Sequence, residues 1–150
     1  MNVALTLIET IDWSRFESHV GSAAGVGDAL RGLLGASDEA AARHAWRGLE
    51  NVVFSQDDIF SAAEPTVDVL LAALATHPPA HVKSLALDLL FHLLHGVSVD
   101  DPGLSERCRA RAGRGTWLLV AEATSRGPSG RATIVEILEL VDVDVAALFD

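Results

Sequence analysis

Tyrosine is absent from this 150-residue chain, cysteine occurs once, and there are only three tryptophans and five phenylalanines. Strands draw heavily on aromatic side chains, whereas Leu and Ala, which dominate here, lose little freedom in a helix. The lone Cys108 has no partner for an internal disulfide, so nothing ties the chain to an oxidising compartment. No apolar run reaches the ~18–20 residues that cross a bilayer. Met1 to Ile11 carries Glu9 and no basic residue before its apolar stretch, and so lacks the charged start of a secretory signal. These absences set the expectation of a cytoplasmic protein without a membrane partner.

Basic residues are scarce as well: 11 Lys and Arg stand against 21 Asp and Glu, a formal charge of −10. The imbalance is uneven. Residues 1–106 hold 15 acidic and 5 basic side chains, while residues 107–150 hold 6 of each. An acidic body repels phosphate backbones, which argues against nucleic acid as a ligand. Acidity of this kind serves either solubility or the recognition of a basic protein surface, where charge mainly speeds and selects the encounter.

At 49% hydrophobic and 21% charged residues, the composition is that of a folded domain, and the length fits one, spanning residues 1–150. The apolar spacing is helical. Val26, Leu30, Leu33 and Leu34 follow an i, i+4, i+7, i+8 pattern that recurs 40 positions later at Thr66, Leu70, Ala73 and Leu74. A second stripe, Ala45, Leu49 and Val52, recurs at Leu85, Leu89 and His92. A period near 40 made of two helices marks a HEAT-like solenoid, in which helix pairs stack because no single pair can bury its apolar face.

The fold class expected is therefore all-α: a short right-handed α-solenoid of about three HEAT-like antiparallel helix pairs with an N-terminal capping helix. The pairs fall at about Gly25 to Gly35 with Asp38 to Phe54, Pro65 to Thr76 with Pro79 to His95, and Arg114 to Ser125 with Ser129 to Val141. Val3 to Trp13 is the cap, leading into a loop through Gly21 and Gly25. Val97 to Gly103 is a polar connection, and Val143 to Asp150 a last helical turn. Ser37 is read as an N-cap before Asp38 and Glu39, Pro78 and Pro79 as a stop and a start, and Gly96 as a terminating C′ glycine.

Candidate chemistry is sparse. His77 and His81, and His92 and His95, have helical spacings that can place two imidazoles on one metal, but no Cys or carboxylate cluster completes either site. Cys108 lies between Arg107 and Arg109, which would favour a thiolate, yet no base is positioned for it. The glycines of Gly21-Ser22-Ala23-Ala24-Gly25 lack the lysine of a phosphate loop. Arg107, Arg111 and Arg114 share a helical face, expected to pair with Glu106, Glu122 or the acidic body. Trp46 and Trp117 are expected in the core, with Trp13 at the N-terminal cap. Asp57 and Asp58 open a short segment, to Ala63, that charges a helix start; with Glu50, Glu64 and Asp68 they form the densest acidic stretch, the first place for a basic partner to dock. No cofactor or metal is implied, and the chain reads as a non-enzyme.

Ile11-Asp12-Trp13-Ser14, the Val26 to Leu34 stripe and Ser61-Ala62-Ala63-Glu64-Pro65 resemble a group of small bacterial HEAT-like proteins. Those typically read Ile-Asp-Trp-Ser, a Tyr-Gly-x-Ala loop, Val-Pro with a leucine stripe, a His-Gln-Gly loop, and an Ala-rich stretch ending in Pro. The likeness covers about residues 5–95. Here Val20 stands where Tyr is expected, Gly27 replaces the Pro, and Phe54-Ser55-Gln56-Asp57 keeps only the Gln. Proteins of this group resemble immunity proteins of polymorphic toxin systems, which bind and block a cognate toxin domain. The resemblance implies a protein partner, a toxin domain with a basic surface, covered by the face that the second helices line. On that face the contact residues expected are His44, Arg47, Glu50, Asn51, Asp88 and His95, with Asp57, Asp58 and Glu64 beside them. The rival readings are a scaffold or regulatory subunit and a HEAT-like nucleic-acid enzyme, the latter requiring a basic groove that the charge opposes.

Overall fold

The computed structural model describes residues 2–149, so Met1 and Asp150, which begin and end two of the expected segments, lie outside it. The chain is mostly helical: α1 (Val3–Thr10), α2 (Val26–Leu34), α3 (Glu39–Arg47), α4 (Ala63–Ala75), α5 (Ala80–His95), α6 (Leu104–Gly113), α7 (Thr116–Thr124), α8 (Ala132–Leu140) and α9 (Val145–Phe149). Two minimal antiparallel hairpins interrupt it: β1 (Glu17–Ser18) with β2 (Gly21–Ser22), and β3 (Phe54–Ser55) with β4 (Asp58–Ile59). No helix among the described residues is long and apolar enough to cross a membrane.

The antiparallel pair α4–α5 is the centre. Its apolar positions run almost without interruption, so both helices bury several faces: Val67, Leu70 and Leu74 on α4, and Val82, Ala86, Leu89, Leu90 and Leu93 on α5, are fully enclosed. α4 packs against α1, α5, α6 and α7, and α5 against α3, α4, α6 and α8. The second helices α3, α5 and α8 thus form one row with α5 in the middle. α1 packs against both α2 and α4 and separates them. It lies inside the opposite row and does not close an end. Leu30 and Leu70, the two copies of the 40-residue stripe, are both completely buried.

The structure departs from the expected boundaries at four places. α3 stops at Arg47, seven residues before Phe54. Gly48 turns the chain through a tight bond to Ala45, and Asn51 takes the left-handed region at φ 62°, where a helix cannot continue. Leu49, the partner of Leu89 in the period, is buried but lies beyond the helix. Asp57 to Ala63 is no helix start, because Asp58 and Ile59 pair with Phe54 and Ser55 as a hairpin. The N-cap of α3 is Asp38, whose carboxylate accepts from Ala41 N at 2.8 Å, and not Ser37. Residues 104–113 form a full helix, α6, outside the three expected pairs.

Gly96 does end α5, but at φ −69°, so its conformation does not require glycine. The reason is space: a Cβ there would meet Ile59 Cγ2 at 2.6 Å and Asp57 O at 3.0 Å. Gly27 has a similar basis, for a Cβ would lie 2.8 Å from Nε1 of Trp13. That indole, buried as expected, donates to Ile8 O at 3.1 Å and locks α1 to the turn after it. Trp117, expected in the core, is instead 68% exposed. α7 turns Leu118, Leu119 and Ala123 inward, which places residue 117 outward.

The arginine cluster pairs with the acidic body, through partners other than the two named glutamates. Arg107 Nε lies 2.7 Å from Glu64 and its Nη2 2.6 Å from Asp101; Arg111 reaches Glu64 at 2.6 Å and also Asp68. Arg109 donates to Leu94 O at 2.9 Å. Glu122, itself buried, takes Lys83 at 2.8 Å and Arg126 at 3.5 Å. α6 is thereby clamped to α4, and α7 to α5.

Candidate functional site

α3 is short and amphipathic, with Ala42 turned fully inward. His44 is exposed on its outer side, Arg47 is exposed, and Arg43 is tied to Glu39 at 3.0 Å. Arg43, Arg47 and Glu50 recur at intervals of four and three and face α5. Leu85 and Asp88 of α5 complete a shallow groove of about 160 Å³ with Trp46 in its wall. Three residues expected at a partner surface, Arg47, Glu50 and Asp88, converge there.

Aromatic packing fixes the wall. Phe54, brought in by β3, stacks on the His92 ring with centroids 4.5 Å apart and planes 7° from parallel. Trp46 meets Phe54 edge-on at 6.1 Å and lies 6.3 Å from His92. His92 Nε2 is 3.7 Å from the Asp88 carboxylate. Nε1 of Trp46 is buried and has no hydrogen-bond acceptor. A donor withdrawn from water without a partner is costly to the free protein.

The acidic edge adjoins this groove. One turn and more along α5 from Asp88, His95 stacks on Phe91 with centroids 5.3 Å apart, and its Nε2 is 3.9 Å from Asp57 Oδ1. Asp57 and Asp58 project from the β3–β4 hairpin and are exposed, and Asp58 has no ion pair among the described residues. Asn51, exposed at the hairpin's entry, accepts from Ser55 Oγ at 3.2 Å. Backbone bonds knit the connections on this edge together: His19 N to Val52 O at 2.7 Å, Ile59 N to Val97 O at 3.0 Å, and Val97 N to Asp57 O at 2.8 Å.

Glu64 stands apart from the other expected contacts. Its carboxylate is 18% exposed and occupied by Arg107 and Arg111. Burial raises its pKa, but the hydrogen bonds and charges of those two guanidiniums outweigh burial and hold it below the usual carboxylate range. Hydrogen bonding from Arg107 similarly lowers Asp101. Of the acidic stretch named in the sequence, Glu50, Asp57 and Asp58 face outward, whereas Glu64 and Asp68 hold the fold together. His44 is exposed on α3 but lies outside the lining of the groove.

Trp46, Phe54, His92 and Arg43 shape the groove although none was expected at it. For Arg43 a signal existed: its spacing to Arg47 and Glu50 places the three on one side of a helix. For Trp46 there was none, since its neighbours Ala45 and Leu49 belong to the core stripe.

Burial, then the charge of Glu64, pushes the Cys108 thiol up to about 12, against the pull of Arg107 and Arg111. It is a protonated thiol at neutral pH and fully enclosed. His81 Nε2 is 2.8 Å from Ala36 O, and His77 precedes α5 at φ 52°, so the pair does not share a helical face. Among the described residues no three His, Cys, Asp or Glu side chains gather as a metal site. What this region offers a ligand is shape, an aromatic wall and charge. No family model, characterised protein or solved structure matches the chain.

Proposed function

We propose that this chain is a protein-binding module of the cytoplasm, a short HEAT-like solenoid that acts as an immunity-type inhibitor by covering the basic cleft of a toxin domain. The pairs α2–α3, α4–α5 and α7–α8 are its repeats, with α3, α5 and α8 as the row of second helices. The observation that carries this reading is the exposed acidic pair Asp57 and Asp58 at the edge beside that row. They lie past His95 from the α3–α5 groove, whose own lining sets Glu50 and Asp88 beside Arg43 and Arg47. Inhibition is occlusion: the acidic face attracts the basic cleft, the hairpin edge abuts its rim, and substrate is excluded. Such a complex needs an interface of roughly 1,200–2,000 Å² with a few dominant anchors, for which the half-buried Trp46 is the first candidate.

The test is co-expression with the product of the adjoining gene, followed by co-purification and calorimetric titration at increasing salt. A one-to-one complex that slows the partner's activity, forms more slowly as salt rises and is weakened by Asp58→Lys supports the proposal. Absence of a complex, or binding indifferent to both salt and charge reversal, overturns it.

A further inference from the structure

Six large apolar side chains are exposed among the described residues, and three of them, Val20, Val97 and Val99, stand on connections at one edge of the fold. Those connections, residues 16–22, 51–62 and 96–103, adjoin in a row. The first bonds to the second through His19 N to Val52 O at 2.7 Å and Ala62 N to Glu17 O at 3.1 Å. The second meets the third where Asp58 pairs with Val97 in a parallel bridge. Packing does not account for these valines. Val20 sits in the two-residue turn of the β1–β2 hairpin, a place that ordinarily takes Asn, Asp or Gly, and it is 70% exposed. Val99, between Ser98 and Asp100, is 81% exposed. Scattered apolar side chains on a surface need no explanation, but three on connections bonded to one another do.

The charge around them has one sign. The three connections hold Glu17, Asp57, Asp58, Asp100 and Asp101 and not one Lys or Arg. Asp101 is taken by Arg107, and Asp57 lies 3.9 Å from His95. Glu17, Asp58 and Asp100 are exposed and have no ion pair among the described residues. The guanidiniums that flank the edge in sequence are occupied: Arg15 by Asp12 at 3.4 Å, Arg107 by Glu64 and Asp101, and Arg109 by Leu94 O. Arg47 faces α5 in the groove it shares with Glu50. Two copies of such an edge repel each other, and the edge repels any phosphate-bearing surface, which leaves a cationic protein surface as its complement. Carboxylates mainly steer a partner of that kind, whereas apolar area withdrawn from water holds it.

We infer that this edge docks a protein element that sets an apolar side chain among lysines or arginines, with Val20, Val97 and Val99 as the apolar contacts and Glu17, Asp58 and Asp100 as the counter-charges. The inference rests on the proposed function in one respect, a basic protein partner. It goes further in placing the apolar contacts on the connections and not in the α3–α5 groove.

The test is a nuclear magnetic resonance titration of the isotope-labelled chain with two short synthetic peptides, one alternating lysine with leucine and one alternating lysine with serine, each up to about 2 mM. The leucine peptide should shift the amides of residues 17–22, 54–61 and 96–101 and bind about tenfold more tightly than the serine peptide. Val20→Ser and Val99→Ser should each weaken the leucine peptide several-fold, with the serine peptide and the circular dichroism spectrum unchanged. Asp58→Lys should weaken both peptides, an effect that shrinks in about 1 M salt. Equal affinity for the two peptides, shifts confined to the α3–α5 groove, valine variants that bind like the parent, or no shift at all would overturn the inference. With the product of the adjoining gene in place of the peptides, a complex indifferent to the valine variants overturns this inference and leaves the proposed function standing. Absence of that complex, with the leucine peptide still docked on the edge, does the reverse.

Discussion

Arg111 on α6 holds Glu64 on α4, with Nη2 of the guanidinium 2.6 Å from Oε2 of the carboxylate. The two residues are 47 positions apart, and Arg107 reaches the same carboxylate from one turn earlier. Because these cations depress the Glu64 pKa in the folded state, the pair's contribution is complete above the ordinary carboxylate range. It is lost as pH falls through the lower, folded value.

Glu64→Gln should therefore lower stability at pH 7 by about 1 kcal/mol, the small figure reflecting partial exposure and solvent screening. That corresponds to a fall in melting temperature of about 2–4 °C. In acid, below the lowered folded value, the mutant and parent should converge, because the parent carboxylate is protonated there as well. Thermal melts at the two pH values decide the matter, and a difference that persists in acid contradicts the assignment.

Two glycines should respond to alanine with opposite signs. Gly27→Ala drives a methyl into the Trp13 indole, where Nε1 would be 2.8 Å away, and should cost about 1–3 kcal/mol with a change in tryptophan emission. Gly113 closes α6 with nothing within 4 Å of its hypothetical Cβ. Gly113→Ala should stabilise by about 0.5–1 kcal/mol. Urea titrations read both.

Cys108 should resist iodoacetamide in the native protein at pH 8, being enclosed and held as the thiol, and react fully once the chain is unfolded. Rapid native labelling would contradict its placement between α4 and α6.

At the groove, Asp57→Lys and Asp58→Lys should leave stability within about 0.5 kcal/mol while slowing association with a basic partner. Trp46→Phe removes the indole N–H that lacks an acceptor. Its stability should stay within about 1 kcal/mol of the parent, since a relieved donor offsets lost packing. Its dissociation from the partner should quicken, and stopped-flow or biosensor kinetics separate the two effects.

The central pair was legible because its signals agree. Pro78 and Pro79 separate two long apolar segments, and α4 and α5 begin and end within two residues of the positions expected from Pro65 to Thr76 and Pro79 to His95. The hairpins were not, for two-residue strands have no period, and what fixes them is non-local: the amide of His19 bonds to Val52 and that of Ile59 to Val97. α6 was hidden by its composition, since four arginines in and beside it mask the inward Leu104, Cys108 and Ala112. The exposure of Trp117 was readable in principle, because Leu118, Leu119 and Ala123 already define the inner side of α7. The roles of the acidic residues were not. Charge alone does not separate Glu64, which clamps two helices, from Asp58, which meets solvent; only the position of α6 does.

The amide-to-carbonyl bonds that join the chain's bends along the Asp57 edge also bear on recognition. Loops that wander when free must surrender that freedom in a complex, at roughly 0.5–1.5 kcal/mol for each immobilised side chain, and much contact free energy is lost that way. Bends stitched to one another across 30 to 40 positions of sequence enter an encounter already ordered, so more of each contact appears as affinity and as a longer-lived complex.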